Sequence, residues 1–165
     1  MPYHIEVQHS NQLLSVRGAD AVQSVHGRRW AFLDPNNHNV VDFQPGIFVL
    51  IVVDGDYSRC LEPMRLKQRA PIILAPIHRS RLQQQWRFVP VGDYHDALHE
   101  QRPPGHDGWF YVVSRVARKG TRPHWSMGVA DERLDDGAPV WLWQVKKPNV
   151  LCPGNHWWKP LKAKE

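Results

Sequence analysis

The run Asp131-Glu132-Arg133-Leu134-Asp135-Asp136 gathers carboxylates just ahead of the tryptophan-rich stretch Val140-Trp141-Leu142-Trp143. Magnesium held by such carboxylates would grip a diphosphate, and indole faces would stabilise a cationic apolar intermediate. That combination describes an enzyme acting on an apolar anionic substrate such as a prenyl diphosphate, with Asp131, Asp135 or Asp136 reaching a deep pocket. An acidic turn is the plain alternative. Trp141 and Trp143 alternate around Leu142, so on a strand both face the same side. With Trp125 and Trp157 they form either a large aromatic core or an open stacking surface, where a sugar or an apolar ligand would sit. His95 and His99 have the helical i, i+4 spacing of metal ligands, with Asp96 or Glu100 beside them. No third ligand is marked, so the segment reads as a solvated helical turn and no metal is assigned. The sequence shows no Ser/His/Asp or Cys/His nucleophile arrangement, no phosphate-cradling glycine loop and no cysteine-rich zinc spacing. It assigns no catalytic residue and no cofactor.

The elements that hold these groups follow from composition and turn signals. At 165 residues the chain is long enough to bury a core as one domain. Its aromatic side is dominated by 8 Trp against 4 Tyr and 5 Phe, and its Pro and Gly are spread along the chain. Many short strands joined by tight turns have this signature, so an all-β domain is expected. The start Met1-Pro2-Tyr3-His4 has neither a basic nor an apolar run, and the apolar run from Ile47 to Val53 is too short to span a bilayer. The expectation is a cytoplasmic protein, or one released without a classical signal peptide, with no membrane span. Cys60 and Cys152 make no disulfide framework; they read as buried free thiols or one bridge between repeats. The net charge of +5 is scattered and no motif for reading nucleic acid accompanies it.

Strand signals recur in groups of four. Ile47 to Val53, Cys60-Leu61-Glu62, Pro71 to Leu74 and Gln85 to Val91 form one group, with a turn at Asp54-Gly55-Asp56. Trp109 to Val113, Trp125 to Val129, Ala138 to Trp143 and Trp157 to Leu161 repeat it. Tyr3 to Val7, Gln12 to Val16, Ala21 to Val25 and Arg28 to Leu33 form a looser first group. Two groups close on a box, Gln83-Gln84-Gln85-Trp86 and Asn155-His156-Trp157-Trp158. Three units of four strands, near 1–42, 43–106 and 107–165, are the arithmetic of a β-trefoil, in which six strands close a barrel and six cap it. The box Trp then fills the core where the units meet, and the Gln amide pairs with turn backbone.

The turn Asp136-Gly137-Ala138-Pro139-Val140 followed by Asn155-His156-Trp157-Trp158 resembles the ricin-B-type repeat. Gln83-Gln84-Gln85-Trp86 resembles its box still more closely. The resemblance implies a carbohydrate-binding lectin, in which an acid after the second-strand Leu, an aromatic on the third strand and an Asn or Gln near the box grip a sugar. The acid position holds Ser15, Glu62 and Gly128 in the three units. Glu62, with His78 and Gln83 as walls, is therefore the expected sugar site, and Trp141 and Trp143 are the candidate stacking aromatics. The last unit also resembles fungal β-trefoil protease inhibitors of the mycocypin type. That implies a protease partner met by a loop between early strands, here Gln8 to Gln12; a basic loop residue such as Arg79, Arg81 or Arg118 would serve a trypsin-like protease instead. The partners expected are thus glycans or a protease.

Overall fold

Tyr3, Ile5 and Val7 are buried while His4 and Glu6 are half-buried, the period-two pattern of a strand with one face in a core. The computed structural model describes residues 2–78, 80–92, 107–116, 125–144 and 154–164. Its first unit comprises β1 (Tyr3–Val7), β2 (Leu13–Arg17), β3 (Asp20–Ser24) and β4 (Trp30–Leu33), followed by the two-residue β5 (Val40–Val41) paired to β4. The second comprises β6 (Leu50–Val53), β7 (Arg59–Pro63), β8 (Ile72–Pro76) and β9 (Trp86–Pro90). The third comprises β10 (Phe110–Ser114), β11 (Trp125–Val129), β12 (Val140–Gln144) and β13 (Trp158–Lys162).

Pairing closes two rings. β1, β4, β6, β9, β10 and β13 each pair with the next, the β6–β9 link being the Val49↔Trp86 bridge, and β13 returns to β1 through Tyr3↔Lys162. Three hairpins, β2–β3, β7–β8 and β11–β12, form the second ring. They join through Asp20↔Ile73, Val22↔Pro139 and Pro71↔Trp141. A six-stranded barrel with three capping hairpins is a β-trefoil.

One device is repeated in each unit. Trp30, Trp86 and Trp158 are fully buried, and their indole Nε1 atoms donate to the carbonyls of Leu14 (3.0 Å), Leu61 (2.9 Å) and Met127 (3.0 Å). Each indole therefore fills the core and ties the last strand of its unit to the second, while satisfying its own buried N–H. Gln84, also buried, donates to the Pro76 carbonyl (2.8 Å) and accepts from the His78 N–H (3.0 Å), which locks the loop ahead of β9. Phe43, between β5 and β6, packs its ring against Phe32, Phe88 and Phe110 at centroid separations of 5.2–5.9 Å. Cys60 is buried and free, and burial pushes its thiol up to about 12. Cys152 lies outside the described residues, as do Arg79, Arg118 and the His95/His99 segment.

Candidate functional site

The hairpin registers align the units residue by residue. Leu14 faces Gln23, Leu61 faces Leu74 and Met127 faces Leu142. The next residues on the second strands are Ser15, Glu62 and Gly128. One residue past the facing position on the third strands, diagonal to these, stand Ser24, Ala75 and Trp143, while Val22, Ile73 and Trp141 lie directly opposite. The second unit therefore keeps a carboxylate without an aromatic wall, and the third has the wall without the carboxylate.

In the second unit the Glu62 side chain is only 8% exposed, and its carboxylate lies 3.4 Å from Arg81 Nε. His78 is exposed and Gln83 half-buried. The sequence leads one to expect an open groove at Glu62; the structure instead buries this carboxylate against a guanidinium. The physical reason is that Arg81 folds over it while the wall position holds a methyl group, Ala75. Arg81, expected as a free loop cation, is engaged by the same contact.

The third unit opens a groove of about 340 Å³, lined by Asp131, Glu132, Trp143, Asn155 and His156. Trp143 is fixed on β12 by an Nε1–H bond to the Gly128 carbonyl (3.1 Å) and by the edge of His156 at 5.6 Å. The Arg69 guanidinium stands 5.8 Å from its ring centroid. Trp141 lies beside it, also 5.8 Å between centroids, so the two indoles share a side of β12 as alternation requires. Trp125 and Trp157 are buried, Trp125 in the main core and Trp157 in a smaller cluster with Val91, Tyr111 and Val113.

Two groove side chains are nine-tenths buried and incompletely bonded. Asn155 donates Nδ2 to the Val129 carbonyl (2.8 Å), which orients the amide and leaves Oδ1 without a partner among the described residues. His156 has no partner on Nδ1, and burial foremost, then His9, pushes its pKa down to about 4, so the ring is neutral at neutral pH. A Cβ on Gly128 would sit 2.5 Å from that Nδ1. The imidazole thus occupies the space that an acid at position 128 would need.

The groove's carboxylates come instead from the turn after β11. Asp131 (φ 48°) and Glu132 (φ 57°) are both left-handed, a conformation that costs of order 1–3 kcal/mol per residue unless surrounding contacts impose it. The first unit tethers the residues that follow this pair. Gln23 Nε2 donates to the carbonyls of Arg133 and Asp135 (2.9 Å each), Gln12 Nε2 to Leu134 (2.6 Å) and His9 Nε2 to Arg133 (2.7 Å). Arg17 pairs with Asp136 at 2.8 Å. Asp136 is held below the usual carboxylate range by Ser24, the Val25 N–H and Arg17. Arg133 forks onto Asp135 (2.9 and 2.6 Å), lowering that acid and raising its own pKa. Asp135 and Asp136 are therefore spent on arginines and do not converge with Asp131. Among the described residues no three His, Cys, Asp or Glu side chains group to hold a metal ion.

Sequence reasoning reaches Trp143 through alternation and sees the acidic run, but it does not bring Asp131, Glu132, Asn155 and His156 together. The available signal is the pairing of Trp143 with an Asn-His box in one unit.

No described protein family matches the sequence, and no curated protein does. Solved structures do match, through fold. The designed three-fold symmetric protein ThreeFoil is 18% identical, with 98% of this chain and 99% of that one covered and a TM-score of 0.67. The GlcNAcα1-4Gal-releasing endo-β-galactosidase of Clostridium perfringens is 13% identical over 99% of this chain, which spans 33% of that enzyme, with a TM-score of 0.62. A proteinase inhibitor from Coprinopsis cinerea is 10% identical over 98% of this chain and 97% of its own, with a TM-score of 0.56. At these identities the likeness establishes the β-trefoil fold and nothing finer.

Proposed function

We propose that this chain is a carbohydrate-recognition protein whose ligand lies in the third-unit groove. Trp143 stacks on the apolar face of a sugar ring. Asp131 and Glu132 accept hydrogen bonds from its hydroxyls, and Asn155 Oδ1 accepts another. One observation carries the reading: of the three equivalent wall positions, Ser24, Ala75 and Trp143, the aromatic one borders the groove, pinned by its own N–H and sharing that groove with a buried amide oxygen that has no partner among the described residues. A half-buried indole fixed in place stacks at little conformational cost, and an orphaned buried acceptor is expensive until a ligand donor reaches it. The likeness in fold to part of an endo-β-galactosidase supports a glycan ligand, and the likeness to a proteinase inhibitor keeps a protease as the alternative partner.

A glycan array probed with the wild type and Trp143→Ala tests the reading, run beside papain and trypsin inhibition assays. At least one glycan class should be retained by the wild type. The variant should lose it by about tenfold, since stacking contributes roughly 1–2 kcal/mol; it also loses the Gly128 bond and the His156 contact, so it should melt lower while staying folded at the assay temperature. A silent array, or signals indifferent to Trp143, would remove the carbohydrate reading; inhibition at stoichiometric protein would replace it.

A further inference from the structure

We infer that the groove selects a sugar bearing a free, protonated amine over its neutral or N-acetylated counterpart. This rests on the carbohydrate reading above and specifies the ligand of the same site. The observation behind it is an imbalance in the lining. Asp131 and Glu132 bring two carboxylates, and neither lies within ion-pair distance of a described cation. Asn155 turns its acceptor, not its donor, free, because Nδ2 is tied to Val129. The indole N–H of Trp143 is already given to Gly128. His156 is neutral and its Nδ1 is unpartnered.

Among the described flanking cations, Arg133 attracts Asp131 at longer range, but each is engaged first elsewhere. Arg133 is forked onto Asp135, Arg69 lies against the Trp143 ring, and His9 spends Nε2 on the Arg133 carbonyl. Among the described residues the lining therefore presents acceptors, two carboxylates and an aromatic face, with few donors to return. A hydroxyl satisfies acceptors but carries no charge. An ammonium satisfies several acceptors at once, pairs with the carboxylates and is attracted by the indole face. An anionic sugar meets like charge. The whole chain carries +5, so a cationic ligand is drawn by this local field and not by the protein at large.

Hexamers of glucosamine and of N-acetylglucosamine, titrated into the whole protein by calorimetry at about pH 6, where His156 is still neutral, separate the possibilities. The amine hexamer should bind about tenfold tighter, two exposed charge contacts each adding a few-fold. The advantage should shrink with added salt. Asp131→Asn with Glu132→Gln should bring the two affinities together, and Trp143→Ala should weaken both. Equal or tighter binding of the N-acetylated hexamer would overturn the amine preference while leaving a sugar site in place. Tight amine binding indifferent to Trp143, or matched by a lysine hexapeptide, would overturn it too, since charge alone would then be recognised. Binding of neither hexamer overturns the amino-sugar assignment. If the glycan array is also silent, the sugar reading itself fails.

Discussion

Gly128→Ala is the sharpest probe of how the third unit traded a side chain for an imidazole. The new methyl group would lie 2.5 Å from His156 Nδ1, 2.9 Å from Cε1 and 3.1 Å from Cγ, against an ordinary contact of 3.4 Å or more. The ring must therefore withdraw by about 0.9 Å. It is 8% exposed and meets Trp143 edge-on, so it cannot withdraw without disturbing the groove wall. Overpacking of this kind costs about 1–3 kcal/mol. In a domain of this size that lowers Tm by roughly 3–10 °C. In a His156→Ala background the obstruction is gone. There the same change should be neutral or slightly stabilising, because alanine gives up less backbone freedom than glycine in a strand.

Urea denaturation of the four proteins of this cycle measures the coupling, which should be about 1–3 kcal/mol and of relieving sign. Constant m values show that the denatured states are comparable. If Gly128→Ala costs the same in both backgrounds, or nothing in the wild type, then the imidazole does not fill the acid's space. The absence of a carboxylate at position 128 would then need another cause.

Trp86→Phe and Trp158→Phe should each destabilise by about 2–4 kcal/mol, since each removes ring volume and leaves a buried carbonyl without its donor; chemical denaturation reads this directly. The folded pKa of His156, about 4, lies below its ordinary 6.5, so between those values the unfolded chain takes up a proton that the folded chain refuses. Stability should be flat above about pH 6.5 and fall towards pH 4, by at most about 1.4 kcal/mol per pH unit from this group, and His156→Gln should remove that share of the slope. Arg81→Ala should cost about 1–2 kcal/mol by leaving the Glu62 carboxylate buried alone, with most of the loss recovered in the Glu62→Gln, Arg81→Ala double variant. Thermal melts of the three proteins check it, and a double variant no better than the single would show that the pair is not coupled.

The fold was legible because its signals are local and repeated. Gly-marked turns, short apolar runs and a closing tryptophan occur at matching places in the second and third units. Even the first unit, which lacks the box glutamine, folds the same way. The device there needs only the Trp30 indole and the Leu14 carbonyl, and a backbone acceptor leaves no trace in a sequence. The candidate site was less legible because it depends on register. Glu62 carries the right charge, yet its unit places Ala75 where the third places Trp143, and that comparison exists only once Leu61 is seen opposite Leu74 and Met127 opposite Leu142. The acidic run showed its charges but not their directions. Arginines draw Asp135 and Asp136 away, whereas two left-handed residues place Asp131 and Glu132 in the groove lining.

The long-range contacts also show that the site is not the property of one repeat. The turn that presents Asp131 and Glu132 is held by Gln12, Gln23, His9 and Arg17, all from the first unit. Gln23 makes two of these hydrogen bonds, with one amide group serving two carbonyls at once. Its equivalents in the other units are Leu74 and Leu142, which have no donor to give. A chain of three identical third units would put Leu142 at the Gln23 position and leave the carbonyls of Arg133 and Asp135 without that donor. The residues that follow the left-handed pair would then lose this tether, and the strain of the pair would be less well opposed. Divergence of the first unit is thus a condition for the groove in the third, which is a physical reason for this trefoil to be asymmetric.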